Sequence, residues 1–443
     1  MNPSVIEMDW QKYVRAALSC ERIVQEGRIL KVSGLVAEAS GPGMSVGSLC
    51  AIKHDDRADT LAEVVGFRDK RMVLMPLGDL TGTRPGSRII NVDERESIPV
   101  GRAFLGRVLD GLGQPIDGKG SILPDAHYPV YGRPINPMAR NVIEEALDVG
   151  VCAINAMTTV AKGQRMAIMA GSGVGKSVLM GMIARNTEAD VNVIALIGER
   201  GREVREFIER ILGPDGLKKS VVVAATSDSP PLVRIRGAYI ATALAEYFRD
   251  GGSDVMLIMD SITRFAMSMR EVGLAAGEPP STKGYTPSVF NMLPKLMERS
   301  GTVEGKGSIT GIYNVLVEGD DMNEPIADAV RSIADGHIVL TRALAQKGHY
   351  PAIDVLASIS RVMNDVVDTD HLKGARELMR LLSAYRDAED LINIGAYVDG
   401  SDPVIDDAKQ KIGRINAFLR QNIGQKVSLA DSIARLKSLT AKR

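Results

Sequence analysis

The sequence predicts an α/β protein: a parallel-sheet core, with a small β-barrel before it and a helical domain after it. Three observations carry that prediction. Between Val142 and Ser360, apolar runs of strand length alternate with helical patterns, as in a parallel sheet covered on both faces. Between Glu21 and Ile98 there are only short β-rich runs punctuated by Gly and Pro. After Arg361 the glycines thin out and helical periodicity returns. A chain of 443 residues is long enough for two or three domains, and the divisions read from it are 1–20, 21–98, 99–361 and 362–443.

The first segment places Trp10, Tyr13, Val14, Ala17 and Leu18 at three- and four-residue spacing, on one face of a short amphipathic helix. That face either packs on its own domain or docks a partner. The second segment carries strand candidates at Gly27 to Val36, Ser48 to Ile52, Leu61 to Phe67 and Arg71 to Leu74, with turn signals at Gly41 to Gly43 and Thr81 to Gly86. Strands of this length and spacing suggest a small barrel. From Gly101 to Pro137, Asp110-Gly111, Gln114-Pro115 and Asp117-Gly118 mark an irregular connection that covers the next domain.

The core strands are expected at Gln164 to Ala170, Val191 to Ile197, Ser220 to Ala225, Val255 to Met259, Ser308 to Val317 and His337 to Leu340. In the C-terminal segment, Leu372, Ala375, Leu378, Met379 and Leu382 keep helical spacing, and Ser428 to Asp431 opens the last helix with a capping box.

Charge and cysteine content exclude several classes. Lys and Arg number 54 against 55 acidic residues, so no cationic excess is available for a nucleic-acid backbone. The longest apolar stretch, about Gly150 to Ala161, falls short of the roughly 20 residues that span a bilayer. Glu7 and Asp9 stand where a secretory signal carries positive charge, and a cytoplasmic protein is expected. Cys20, Cys50 and Cys152 are odd in number and lack metal-ligand spacing, so they read as reduced thiols.

The chemistry begins at Ala170-Gly171-Ser172-Gly173-Val174-Gly175-Lys176-Ser177, which follows an apolar strand and precedes a helical run from Val178. In that context backbone N–H groups of the turn and of the helix N-terminus surround phosphate oxygens. Lys176 reaches the β- and γ-phosphates, and the Ser177 hydroxyl ligates magnesium. Ala170 stands where the motif usually begins with glycine, a minor departure if its φ is negative. A second strand ends on Asp260, the place for a carboxylate that holds magnesium through water. A third ends before Gly198-Glu199-Arg200-Gly201-Arg202-Glu203, where Glu199 is the candidate general base; a surface charge cluster is the plain alternative.

Together, Ala170 to Ser177, Gly198 to Glu203, Asp260 to Phe265, Gly273 to Gly301 and Val317 to Gly336 resemble the type III export ATPases, relatives of the catalytic β subunit of rotary ATP synthases. The phosphate loop and Leu391 to Tyr397 resemble the flagellar branch most closely. The resemblance implies a RecA-like core, ATP and Mg2+ as ligands, and the following roles. Gly171 to Val178 cradle the phosphates, with Lys176 and Ser177 on phosphate and magnesium. Asp260 holds the metal through water, Glu203 stands in its outer shell, and Glu199 activates the attacking water. Arg200 and Arg264 lie near the γ-phosphate, and Arg361, in Ser358-Ile359-Ser360-Arg361, is presented to the nucleotide of a neighbouring subunit. Tyr350 stacks on adenine and Tyr397 faces it from the other side, with core packing the plain alternative for either tyrosine.

The resemblance further implies a homohexamer, partly at the cytoplasmic face of the inner membrane. Its partners are an export-ATPase regulator on the N-terminal helix, a coiled-coil central stalk, the membrane-embedded export gate and chaperone-bound substrates. Nucleic acid is not among them. An RNA-dependent hexameric translocase needs aromatic platforms in its barrel, and Phe67 is the sole aromatic between Glu21 and Ile98. A non-catalytic ring subunit is disfavoured by the presence of Lys176, Glu199 and Asp260. Injectisome ATPases and an ATP-synthesising rotary subunit share the chemistry and differ in partners.

Overall fold

The computed structural model describes residues 13, 26–41, 43–93, 97–317, 319 and 321–440. The helix expected around Trp10 to Leu18 falls, Tyr13 apart, outside them. The chain forms two compact units, up to Arg95 and from Glu96 onward.

The first unit is a closed barrel of β1 (Glu26–Ser33), β2 (Val36–Ser40), β3 (Leu49–Ile52), β4 (Thr60–Arg68), β5 (Arg71–Pro76) and β6 (Arg88–Asp93), in the order β1-β2-β5-β4-β3-β6. Inward side chains such as Ile29, Ala39, Ile52, Val64, Leu74 and Ile89 fill it, as alternation along short strands requires. The run read as Gly27 to Val36 is two strands, because Gly34 turns the chain at φ +59°. β6 carries no sequence signal beyond the turn before it and closes the barrel by pairing with β1 and β3. Cys50 points into this core, and burial pushes its thiol up to about 12, so it stays a protonated apolar side chain.

The second unit is built on one large sheet. After β7 (Ser97–Val100), its strands are β8 (Val108–Asp110), β10 (Arg165–Ala170), β11 (Val191–Ile197), β12 (Ser220–Ala225), β13 (Asp254–Asp260), β15 (Ser308–Leu316), β16 (Gly336–Leu340) and β17 (Ile359–Ser360), in the order β17-β16-β10-β15-β13-β11-β12-β8. β9 (Ala126–Pro129) pairs with β7 in a separate ribbon, and β14 (Gly301–Thr302) pairs antiparallel with β15. All six core strands expected from the sequence are present, and the pairs between them are parallel. The stretch read as an irregular connection does more than cover the sheet, since β8 extends it beyond β12.

The C-terminal helices Thr369–Asn393, Pro403–Leu419 and Leu429–Thr440 share one apolar core with the sheet. Leu378, Leu381, Ile415 and Leu436 belong to the same cluster as Ile154 and Met157 of the helix Cys152–Met157. Buried polar bonds fasten them: Leu429 N donates to Asp148 Oδ2 at 2.8 Å, and Asn155 Nδ2 to the Val427 carbonyl at 3.2 Å. The last helix is capped at Ser428, whose Oγ accepts from Asp431 N at 3.1 Å, one of the two bonds of a capping box. Among the described residues no helix is long and apolar enough to cross a membrane.

Candidate active site

β10 ends at Ala170, level with Leu316 on one side and Leu340 on the other. Ala170 belongs to the extended strand and not to the three described non-glycine residues with positive φ, so its departure from the motif costs nothing. The chain then turns through Gly173 at φ +81° and Gly175 at φ +94°, and the helix Lys176–Asn186 begins. Gly175 offers that helix no side-chain cap. Its first N–H groups are left for an anion, at the positive end of the helix dipole. A side chain at Gly175 would meet the Tyr350 ring at 3.7 Å, so the ring lies against the loop.

The charged groups converge at the carboxyl ends of the strands. β13 delivers Asp260, which is 2 % exposed. Lys176 Nζ donates to Asp260 Oδ1 at 2.8 Å and stands 3.9 Å from Glu199 Oε1. Asn314 Nδ2 donates to the same Asp260 oxygen at 2.6 Å. Glu199 follows β11 after Gly198, whose φ is +74°. A Cβ at Gly198 would come within 2.8 Å of Arg264 Cβ, so the Arg264 side chain passes over the glycine beside Glu199. Burial, reinforced by the charge of Asp260 and opposed by that of Lys176, raises the Glu199 carboxyl to about 7. A hydrogen bond shared with Glu203 is a smaller contributor to that rise. A carboxyl poised near neutrality suits a general base. Arg200 points outward, 78 % exposed, with Nη1 at 3.4 Å from Glu203 Oε1.

The donor set fits magnesium. Ser177 and Asp260 supply hard oxygens, and no cluster of three or more His, Cys, Asp or Glu among the described residues could cage a metal. Mg2+ is commonly held by one or two protein oxygens, with water and substrate phosphates completing the shell.

Beside the loop is an apolar cavity of 190 Å³, lined among others by Val174, Val178, Met182, Tyr350, Gln421 and Ile423. Tyr350 is half-exposed, and Gln421 N donates to its carbonyl at 3.0 Å. Tyr397 is not part of this lining. Its hydroxyl, with one proton to give, lies 3.1 Å from the Asp402 carbonyl and 3.0 Å from Asp406 Oδ1, tying the turn between two C-terminal helices. Arg361 lies elsewhere again. β17 runs antiparallel to β16 with Ser360 opposite Gly336, and Gly336 is level with Met166 near the start of β10. Arg361, whose N–H donates to the Asp335 carbonyl, therefore sits at the opposite end of the sheet from the phosphate loop, about five residues of strand from Ala170 or about 17 Å at about 3.3 Å per residue.

Family models match three stretches: the ATP synthase α/β family β-barrel domain over residues 29–92, its nucleotide-binding domain over 150–360, and the T3SS EscN ATPase C-terminal domain over 367–438. A flagellum-specific ATP synthase of Bacillus subtilis is 55% identical over 418 residues, spanning 94% of this chain and 95% of that relative. The chain belongs to the type III export ATPases. Among solved members of that family, the assembled ATPase EscN of the enteropathogenic E. coli type III secretion system is 44% identical. It matches with a TM-score of 0.89, covering 94% of this chain and all of EscN. EscN in complex with its central stalk EscO matches at 0.87, with 43% identity and the same coverage.

Three residues of this export-ATPase site escaped the sequence reading. Asn314 had a signal, a single amide inside the buried run Gly311 to Leu316. Gln421 and Ile423 had none, because they join the site from a segment far along the chain.

Proposed function

We propose that the protein hydrolyses ATP with magnesium to drive the flagellar type III export apparatus, unloading substrates and delivering them to it. The observation that carries this reading is the convergence of Lys176, Asp260 and Glu199 beside an uncapped helix N-terminus. The backbone of Gly171 to Val178 binds the phosphates. Lys176 leaves Asp260 for the β- and γ-phosphates, where its charge offsets theirs. Magnesium, held by Ser177 and Asp260 with Glu203 in its outer shell, supplies charge neutralisation at the phosphates. Glu199 takes the proton of the attacking water, and Arg264 and Arg200 stand by for charge developing on the γ-phosphate. For the base-binding side, we place adenine against Tyr350, with Ile423 and Gln421 ahead of Tyr397 on the far side.

We further propose a homohexamer in which Arg361 completes the neighbour's site; its place at the wrong end of its own sheet supports this. The EscN–EscO structure supports a coiled-coil central stalk as partner. The regulator, the export gate and the chaperone-bound cargo remain part of the proposal, as do a cytoplasmic location partly at the inner-membrane face and the four-part division 1–20, 21–98, 99–361 and 362–443. Matches at 29–92, 150–360 and 367–438 support that division. The likeness to EscN favours injectisome use as the second reading. Deleting the gene decides: loss of flagella supports the first, and loss of another secretion system with flagella intact supports the second.

Lys176→Ala tests the chemistry. It removes charge-assisted hydrogen bonds worth about 1.5–3 kcal/mol, so ATP should bind about 10- to 100-fold more weakly in equilibrium titration. Unchanged affinity would remove Lys176 from the phosphates. The acid limb gives a second check. Glu199 must be ionised to accept a proton, and its carboxyl titrates at about 7. The kcat/KM for ATP should therefore fall as pH drops below about 7, and a profile flat down to pH ~5 would place the base elsewhere.

A further inference from the structure

Asn314 is fully buried near the carboxyl end of β15, among Ile312, Tyr313 and Val315. An amide there loses its hydration, and an apolar side chain of similar size would fill the space without that loss. Packing does not explain it. Its own oxygen makes matters worse for stability, since Asn314 Oδ1 is buried with no hydrogen-bond partner; such atoms are rare in folded proteins and tend to mark function.

The other end of the amide is fully engaged. In the parallel pairing of β13 with β15, Asn314 stands directly beside Asp260, and its Nδ2 donates to Asp260 Oδ1 at 2.6 Å. Lys176 Nζ donates to that same oxygen. The orientation of the amide follows, because the flipped form would set oxygen against carboxylate oxygen. Met180 Sδ, at 3.7 Å from Nδ2, is a weak second acceptor.

These two donors have different fates in the proposed cycle. Lys176 sits on a helix that follows the phosphate loop and transfers to phosphate when nucleotide binds. Asn314 sits on a rigid central strand and cannot follow. We propose that Asn314 is a positioning residue for magnesium: it keeps Asp260 Oδ1 occupied after Lys176 departs and so holds the other carboxylate oxygen, Oδ2, toward the metal's water shell. The inference rests on the assignment of Asp260 to magnesium.

The test measures binding and not turnover. In the full-length chain, the affinity for a fluorescent ADP analogue is titrated with excess Mg2+ and with EDTA, and the ratio is the gain due to magnesium. Asn314→Leu and Asn314→Val lack the donor, whereas Asn314→Thr carries a hydroxyl in nearly the shape of valine. The donor-free variants should lose about tenfold of that gain, the size of one charge-assisted hydrogen bond at the low end, with the EDTA affinity unchanged. Asn314→Thr should recover part of it. A full magnesium gain in a folded donor-free variant would overturn the proposal, as would equal losses in valine and threonine. If both donor-free variants fail to fold, Asn314→Ala and Asn314→Ser take their place: a full magnesium gain in the alanine variant overturns the proposal, and a loss there that serine partly recovers supports it. Asp260→Asn is the control. If it keeps the magnesium gain, the metal assignment itself fails; if it loses the gain while the donor-free Asn314 variants keep it, only the present inference does.

Discussion

Arg361→Ala should leave ATP binding to the isolated chain unchanged and abolish the rise in specific activity that accompanies assembly. The reason lies in strand register. Ser360 pairs with Gly336 at the amino end of β16, whereas the phosphate loop follows the carboxyl end of β10, which runs parallel beside it. Arg361 is exposed there, and its Nη2 donates to the Arg331 carbonyl at 3.3 Å. An exposed guanidinium held by a backbone carbonyl keeps further N–H donors for pairing elsewhere. If it reaches the γ-phosphate of a neighbour, removing it forfeits stabilisation of transferring charge, worth about 10³ to 10⁵ in rate. Specific activity followed against protein concentration checks this. A variant that still gains activity on assembly would return the site to a single chain.

Glu199→Gln should bind ATP and turn it over about 10² to 10⁴ times more slowly, the usual contribution of a positioned base. Glutamine keeps the shape and the hydrogen-bonding capacity but cannot take the water's proton. The substitution also removes the carboxyl that shares a hydrogen bond with Glu203 and lies near Asp260, so binding should not suffer for electrostatic reasons. Single-turnover hydrolysis alongside equilibrium ATP binding separates the two effects. Near-normal turnover would transfer the role to another group, and Glu203 is the nearest carboxyl to examine.

Much of this arrangement is legible before any coordinates. The phosphate loop is contiguous, and its strand–turn–helix setting follows from hydrophobic periodicity alone. Asp260 and Glu199 are legible for a related reason: each ends an apolar run, and in a parallel sheet those ends lie together. What escapes reading depends on pairing across distance. β8 is a three-residue strand in a stretch dominated by turn residues, and only its partner β12 makes it a strand. The role of Asn314 depends on which residue of β13 it faces, and a slip of one position would turn it away from Asp260. Tyr397 shows a choice that sequence leaves open between ligand contact and packing, and its hydroxyl bonds to the neighbouring turn at Asp402 and Asp406.

Gln421 has a consequence for mechanics. Its side chain donates to the Gly150 carbonyl and accepts from Cys152 N, both at 2.8 Å, while its backbone N–H holds the Tyr350 carbonyl. One residue thus splices the wall of the nucleotide cleft to the base of the C-terminal helices. The helices are thereby clamped at their root to the strand end that carries Tyr350, so that with adenine placed as proposed, a load at their far end would have a short covalent and hydrogen-bonded route to the nucleotide. Any coupling along that route must run both ways by the same free energy: a partner that bends the arm and weakens nucleotide binding would itself be bound less tightly when the cleft is filled.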